Sequence, residues 1–330
     1  MVQQKKILII KFGALGDVLL ASGQVGAIIK RHSGEKITIL TEPAMMPLLK
    51  LIVHYGTKNK KTKIDFITVV RKHYWFLPFL ILQLWFRNFY RVYDLQTSGY
   101  SNRLYYLLLV KPLWNGVVKN IWQDKSHNRD KIHAVERFNQ QLVYAGINDI
   151  DLPHVNYLRG RQFSFFKKKF FILVIGGSLI KMRRKQILPL ATYIAVAKFL
   201  EEKNIFSVIV GGNKEKKLGE EFSRAVPSAI NLVGKTTLGD VAEIARYANG
   251  VVGNDTGITH LIALAKHTPR LIRYRKNKKS VPIIVIIAPP ANPKVVRPLG
   301  DLKTSIRIIY RNNTKNITAN DIINLLPKKL

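Results

Sequence analysis

Short β-branched runs that break at glycine and pass into helix-length apolar stretches recur in both halves of this 330-residue chain, which confines it to a parallel α/β fold. Ile7–Ile10 is the first such run; it ends in Gly13 and Gly16, and Val18 to Ile29 reads as the helix that follows. Further strands read at Ile37–Leu40, Ile64–Val70 and Val92–Leu95. A polar, basic stretch from Asp151 to Lys169, carrying Pro153 and Gly160, reads as an interdomain linker. The rhythm then restarts. Phe170–Ile175 runs into Gly176-Gly177-Ser178, Ser207–Val210 into Gly211-Gly212, and Val251–Val252 into Gly253-Asn254-Asp255-Thr256-Gly257, with helices at Leu188–Leu200, Val241–Ala248 and Ile258–Lys266. The expected architecture is two doubly wound, Rossmann-like domains, residues 1–155 and 156–330, facing a central cleft.

Composition narrows the function classes. A hydrophobic fraction of 47% excludes a disordered chain. The absence of cysteine removes disulfides, thiol catalysis and cysteine-based zinc sites, and a reducing cytoplasm is the simplest home. The 54 Lys plus Arg against 20 Asp plus Glu, a net charge of +34, favour anionic partners: nucleic acid, phosphorylated lipid or nucleotide. The apolar run before Lys11, Ile7 to Ile10, is only four residues long, far short of the ~7–15 of a signal-peptide core. The longest apolar run, Trp75 to Phe86, is interrupted by Pro78 and Gln83 and is too short for the ~20 residues of a spanning helix. We read it as a core helix of the first domain. The alternative is an aromatic, basic amphipathic helix lying in an anionic interface, flanked by Arg71, Lys72, Arg87 and Arg91.

Ligands of open α/β sheets sit at the carboxyl ends of the strands, so the glycine-rich exits hold the candidate site. In the first, Lys11-Phe12-Gly13-Ala14-Leu15-Gly16-Asp17, the glycines let the backbone turn and Asp17 reaches the start of a helix, as a cap or as a base. In the second, Gly253 to His260, a strand opens directly onto a helix whose free N–H groups suit a diphosphate; Thr256 adds a hydroxyl, Gly257 permits close approach, and His260 lies one turn on. The plainer reading there is a capped helix with a surface histidine. In the third, Gly177 and Ser178 precede Lys181, Arg183, Arg184 and Lys185, cations that can neutralise charge on a departing phosphate.

Seven strings in order, Ile7–Leu20, Tyr93–Leu104, His133–Phe138, Val174–Ser178, Val208–Glu215, Asn231–Lys266 and Arg297–Asp301, resemble the lipopolysaccharide heptosyltransferases of glycosyltransferase family 9 over nearly the whole chain. The resemblance implies a GT-B fold, with the acceptor bound by residues 1–155 and the nucleotide-sugar donor by 156–330. It implies inverting transfer of a heptose from ADP-heptose to a lipopolysaccharide inner-core or lipid A acceptor, with no metal or other cofactor. Asp17 would be the catalytic base, and Lys185 or Lys181 would match the family lysine. Gly177, Ser178, Asp255, Thr256, Gly257 and His260 would hold the donor. Gly13, Gly16 and Arg103 would face the acceptor. The enzyme would be a cytoplasmic monomer, peripheral on the inner face of the inner membrane.

Two departures from the family pattern stand out. Ile187-Leu188-Pro189 replaces the tryptophan-proline that follows the family lysine, and the basic His267–Val296 segment carries Pro289-Pro290 where a compact hydrophobic strand and glycine turn are usual. Contacts to the nucleotide base are therefore not carried over. Another nucleotide sugar or acceptor on the same fold is the nearest alternative. A nicotinamide oxidoreductase fits less well, because Lys11 stands where the dinucleotide fingerprint has its first glycine, although Glu42 closes the second strand. A basic nucleic-acid-binding protein is the alternative of another class; no recognition helix, zinc module or RNP motif supports it, and no nucleic-acid partner is expected. Asp149-Ile150-Asp151 has a metal-binding spacing but reads as a solvated turn.

Overall fold

The computed structural model describes residues 5–56, 62–118, 131–177, 187–266, 281–299 and 306–328. The chain divides into two compact units, Met1–Pro153 and His154–Leu330.

In the first unit, β1 (Lys6–Ile10), α1 (Leu15–Leu20), α2 (Ser22–Arg31), β2 (Lys36–Thr41), α3 (Met46–Gly56) and β3 (Lys63–Thr68) come first. They are followed by α4 (Leu77–Arg87), β4 (Arg91–Asp94), α5 (Gly99–Leu107), β5 (Leu113–Asn115) and α6 (Ala134–Tyr144). The five strands pair in the order β3-β2-β1-β4-β5, and every pairing is parallel. Central strands buried on both faces must be apolar throughout, which is why Ile7, Leu8, Ile9 and Ile10 are all fully buried. The chain winds outward from β1 to β3, then returns to lay β4 on the other side of β1, so the switch point lies between β1 and β4.

The core-helix reading of Trp75–Phe86 is corrected on one side. Leu80, Ile81 and Leu84 of α4 pack on the sheet with Leu8, Ile10 and Val92, whereas Trp75, Phe76, Phe79, Leu82 and Phe86 stay exposed. A stretch apolar on every side hides its orientation from a periodicity argument.

The second unit contains β6 (Phe170–Val174), α7 (Leu190–Glu202), β7 (Phe206–Val210), α8 (Lys216–Ala225), β8 (Ile230–Asn231), α9 (Leu238–Tyr247), β9 (Gly250–Asn254) and α10 (Gly257–Lys266). After these come β10 (Ile283–Ile287), α11 (Pro293–Val296), β11 (Ile306–Tyr310) and α12 (Ala319–Ile323). Six parallel strands are ordered β11-β10-β9-β6-β7-β8, with the switch point between β6 and β9. The basic segment thought to lack a hydrophobic strand contains one: Ile283–Ile287 is buried at every position and pairs with β9.

Residues 155–161, part of the stretch read as a linker, are pinned to α9. Val155 and Leu158 are buried, and the Arg246 guanidinium donates to both of their carbonyls, at 3.2 and 3.0 Å. Asp240 accepts from the backbone N–H of Arg161 at 2.8 Å and from its guanidinium at 2.9 Å. The backbones approach so closely that a Cβ on Gly239 would lie 1.9 Å from the Arg159 carbonyl oxygen, so only glycine fits there. Burial alone would raise the Asp240 carboxyl, but Arg161 and the Thr237 N–H hold it well below the usual carboxylate range.

Candidate functional site

At the first switch point the exits of β1 and β4 are stitched side by side. The Phe12 N–H donates to Gln96 Oε1 at 3.0 Å, and Lys11 Nζ donates to the Leu95 carbonyl at 3.2 Å. Lys11 is buried, with its ammonium 4.8 Å from the centre of the Phe138 ring. Asp94 is buried too; its Oδ1 accepts from the N–H groups of Gln96 (3.0 Å) and Thr97 (2.9 Å), while Oδ2 makes no hydrogen bond. Burial lifts the Asp94 carboxyl to about 6, opposed by the Thr97 N–H and Lys11. Burial likewise lowers the Lys11 ammonium to about 8, opposed by the charges of Asp17 and Asp94.

Asp17 is exposed in the first turn of α1, where its Oδ2 accepts from the Ala14 N–H at 3.3 Å. Gly13 and Gly16 are buried in the same turn, and Arg103 is exposed on α5. Glu42 is paired to Arg71 at 2.7 Å, and the Arg71 guanidinium lies 5.2 Å from the Phe12 ring centre. That pairing occupies the acid that a dinucleotide fold would offer to a ribose. Asp149 pairs with Lys30 on the surface. Among the described residues, no group of three or more His, Asp or Glu could hold a metal ion.

The second switch point is closed by a neutral side chain. Asn254 ends β9, and its buried amide donates to the Gly176 carbonyl at 2.9 Å and accepts from the Leu188 N–H at 2.9 Å. Above it lies a cavity of about 190 Å³ whose lining includes Gly177, Ile187, Asn254, Asp255, Thr256 and Ile286. Thr256 caps α10: its Oγ1 accepts from the Thr259 N–H at 3.4 Å, and its carbonyl accepts from the His260 N–H at 3.1 Å. The Gly257 and Ile258 N–H groups precede the first intrahelical bond and stay open to a ligand. His260 is buried rather than on the surface, with Nε2 3.3 Å from Asp255 Oδ1; its Nδ1 is buried with no hydrogen-bond partner.

The structure thus gathers Gly177, Asp255 and Thr256 on one cavity, sets Gly257 at the head of α10, and holds His260 against Asp255. Ser178, Lys181 and Lys185 lie outside the described residues. Sequence reasoning assigned no role to Lys11, Asp94 or Asn254. Position at a strand exit was a signal for all three; burial, which sets their chemistry, was not visible.

Two parallel-stranded, doubly wound units define an α/β protein of the GT-B class. Residues 121–281 match the model of glycosyltransferase family 9 (heptosyltransferase). That match spans just under half of the chain and marks a resemblance to the family. The chain is 30% identical over 122 residues to lipooligosaccharide heptosyltransferase 2 of Haemophilus influenzae, a match covering 36% of this chain and 31% of that relative's length. Its fold resembles that of the E. coli ADP-heptose lps heptosyltransferase II, with a TM-score of 0.66, 17% identity and 97% of each chain covered. It also resembles the E. coli heptosyltransferase WaaC with ADP, with a TM-score of 0.65, 18% identity, and 97% and 98% of the two chains covered.

Proposed function

We propose that the chain transfers a heptose from ADP-heptose, with inversion and without a metal, to the inner core of a lipopolysaccharide. The observation that carries this reading is the second-unit cavity, which Asp255 and Thr256 line at the point where the chain enters α10, so that the positive end of the helix, with the Gly257 and Ile258 N–H groups, follows directly from its wall. Those are the donors a diphosphate requires. Gly177 allows the backbone to come close to the nucleotide, Asp255 and His260 take hydroxyls of the sugar, and Ser178 belongs to the same exit. In the first unit, Gly13 and Gly16 shape the turn that presents Asp17, and Arg103 meets the anionic acceptor.

The chemistry needs few groups. An acceptor oxygen attacks the anomeric carbon, its proton passes to the Asp17 carboxylate, and the bond to the diphosphate breaks with the electron pair leaving on ADP. ADP departs as a stable anion and needs positive potential rather than a proton, which Lys185 or Lys181 supplies. The acceptor is anchored in the inner membrane, so the enzyme works as a monomer at the cytoplasmic face, with residues 1–155 turned to the acceptor and 156–330 to the donor.

The test is ADP release from ADP-heptose in the presence of a heptose-deficient core acceptor. Wild type releases ADP only with both substrates, and UDP-sugars give none. Asp17→Asn lowers turnover by about 10²–10⁴-fold. Wild-type turnover in Asp17→Asn would remove it from the base role.

A further inference from the structure

We propose that the outer face of α4, together with a basic pocket beneath its carboxyl end, docks onto an anionic phospholipid bilayer. The inference deepens the proposed function by naming the surface that meets the membrane. Its test is read on vesicles alone, so it stands or falls separately from sugar transfer.

Three observations converge. The first is apolar exposure: Phe79 is 60% and Phe86 79% exposed on the side of α4 turned away from the sheet, and Trp75, in the turn that leads into the helix, is 70% exposed. Single exposed apolar residues are ordinary, but large aromatics gathered along a helix and the turn before it mark a contact surface. The face continues onto the neighbouring segment, because Trp85 Nε1 donates to the Leu107 carbonyl at 2.9 Å and Leu107, Leu109 and Val110 are exposed, whereas Leu108 between them is buried.

The second is the pocket. A cavity of about 220 Å³ is lined by Lys6, Lys36, Thr38, Phe86, Arg87 and Phe89. Asp65 pairs with both Lys36 and Arg87, each at 3.3 Å, leaving three cations to one carboxylate. A site of this sign and size beside an exposed phenylalanine suits a lipid phosphate whose chains lie against the ring.

The third is the placement of charge along the helix. Arg71 and Lys72 precede α4, and Lys6, Lys36 and Arg87 lie at its other end, so cations bracket the aromatic stripe. That is the arrangement of an interfacial helix, with rings among the acyl chains and cations at headgroup level. A second copy of this chain is the weaker occupant, because pairing two such faces would oppose cations to cations in a protein of net charge +34.

The experiment is flotation of the intact protein with vesicles of phosphatidylcholine alone or mixed with phosphatidylglycerol. Wild type floats with the mixed vesicles and stays in solution with phosphatidylcholine. The double variant Phe79→Ser/Phe86→Ser, whose circular dichroism melt matches wild type because both rings are exposed, loses at least about tenfold in vesicle affinity. Lys6→Gln/Lys72→Gln loses about fivefold per cation. Three results would overturn the proposal: no flotation of wild type, flotation of both variants at the wild-type level, or a lipid-free dimer that Phe86→Ser converts to monomer.

Discussion

At the β1/β4 switch point, the side chains joining two strand exits are Lys11 and Gln96, with the Asp94 carboxylate buried alongside; at the β6/β9 switch point, the joining side chain is Asn254. Both are doubly wound sheets, and in both a side chain reaches across to satisfy backbone groups where the strands part. They differ in charge. Burial has moved Lys11 and Asp94 toward neutrality from opposite sides, to about 8 and about 6, so the first switch point holds groups that titrate near physiological pH beside Asp17. An amide cannot titrate. The second switch point offers a fixed neutral floor below the start of α10, where a buried carboxylate would repel a diphosphate. One fold thus carries titratable side chains at one switch point and a neutral amide at the other by changing the residues at equivalent places.

The largest effect is expected at the neutral stitch. Asn254→Leu leaves the buried Leu188 N–H and Gly176 carbonyl unpaired, which costs about 2–5 kcal/mol and collapses the cavity wall. Thermal denaturation should show a lowered melting temperature and no further rise with ADP. Wild-type behaviour would mean that water replaces the amide and that the two stitches are not equivalent.

A smaller effect, distinguished by its pH dependence, belongs to the charged stitch. Lys11 sheds its proton more readily folded than unfolded, so stability should rise as pH climbs from about 8 toward 10.5. The rise is on the order of 2–3 kcal/mol, and Lys11→Met should abolish it. Urea melts at pH 7.5 and pH 10 read the difference; an unchanged rise in the variant would show that Lys11 is not its source. Asp94 works in the opposite sense. Its folded carboxyl holds a proton that the unfolded chain gives up, so stability should fall as pH rises from about 4 to about 6, and Asp94→Asn should flatten that fall. The smallest effect is Gln96→Leu, which removes one acceptor from the Phe12 N–H and should cost about 1 kcal/mol. A loss as large as that of Asn254→Leu would erase the contrast.

The contrast also marks what the sequence could disclose. Strands β1, β2, β6, β7 and β9 were readable because a strand covered on both faces is an unbroken apolar run ending at a turn residue. The two-residue β8 and three-residue β5 fall below any periodicity window, and Ile283–Ile287 was hidden by the basic residues and proline pair around it. The Asn231–Lys266 string is one of those that resemble the family, and it carries several charged residues. Yet Asp240 and Arg246 hold residues 155–161 against α9, and Glu243 pairs with Arg246 at 2.5 Å, which is architecture. Conversely, Lys11 looked like a defect in a glycine fingerprint, and only burial gives it a role. Gly177, Asp255 and Thr256 were legible as strand exits because chain direction alone sends such exits to the same end of a parallel sheet.

The division of labour between the two switch points is tested most directly by calorimetric titration of ADP into two variants, with turnover measured on the same samples. Asp17→Asn should bind ADP as wild type does while losing transfer, and Thr256→Val should lose ADP affinity by about tenfold, the weight of one hydrogen bond to a charged group. Loss of ADP binding in Asp17→Asn, or full ADP binding in Thr256→Val, would contradict it.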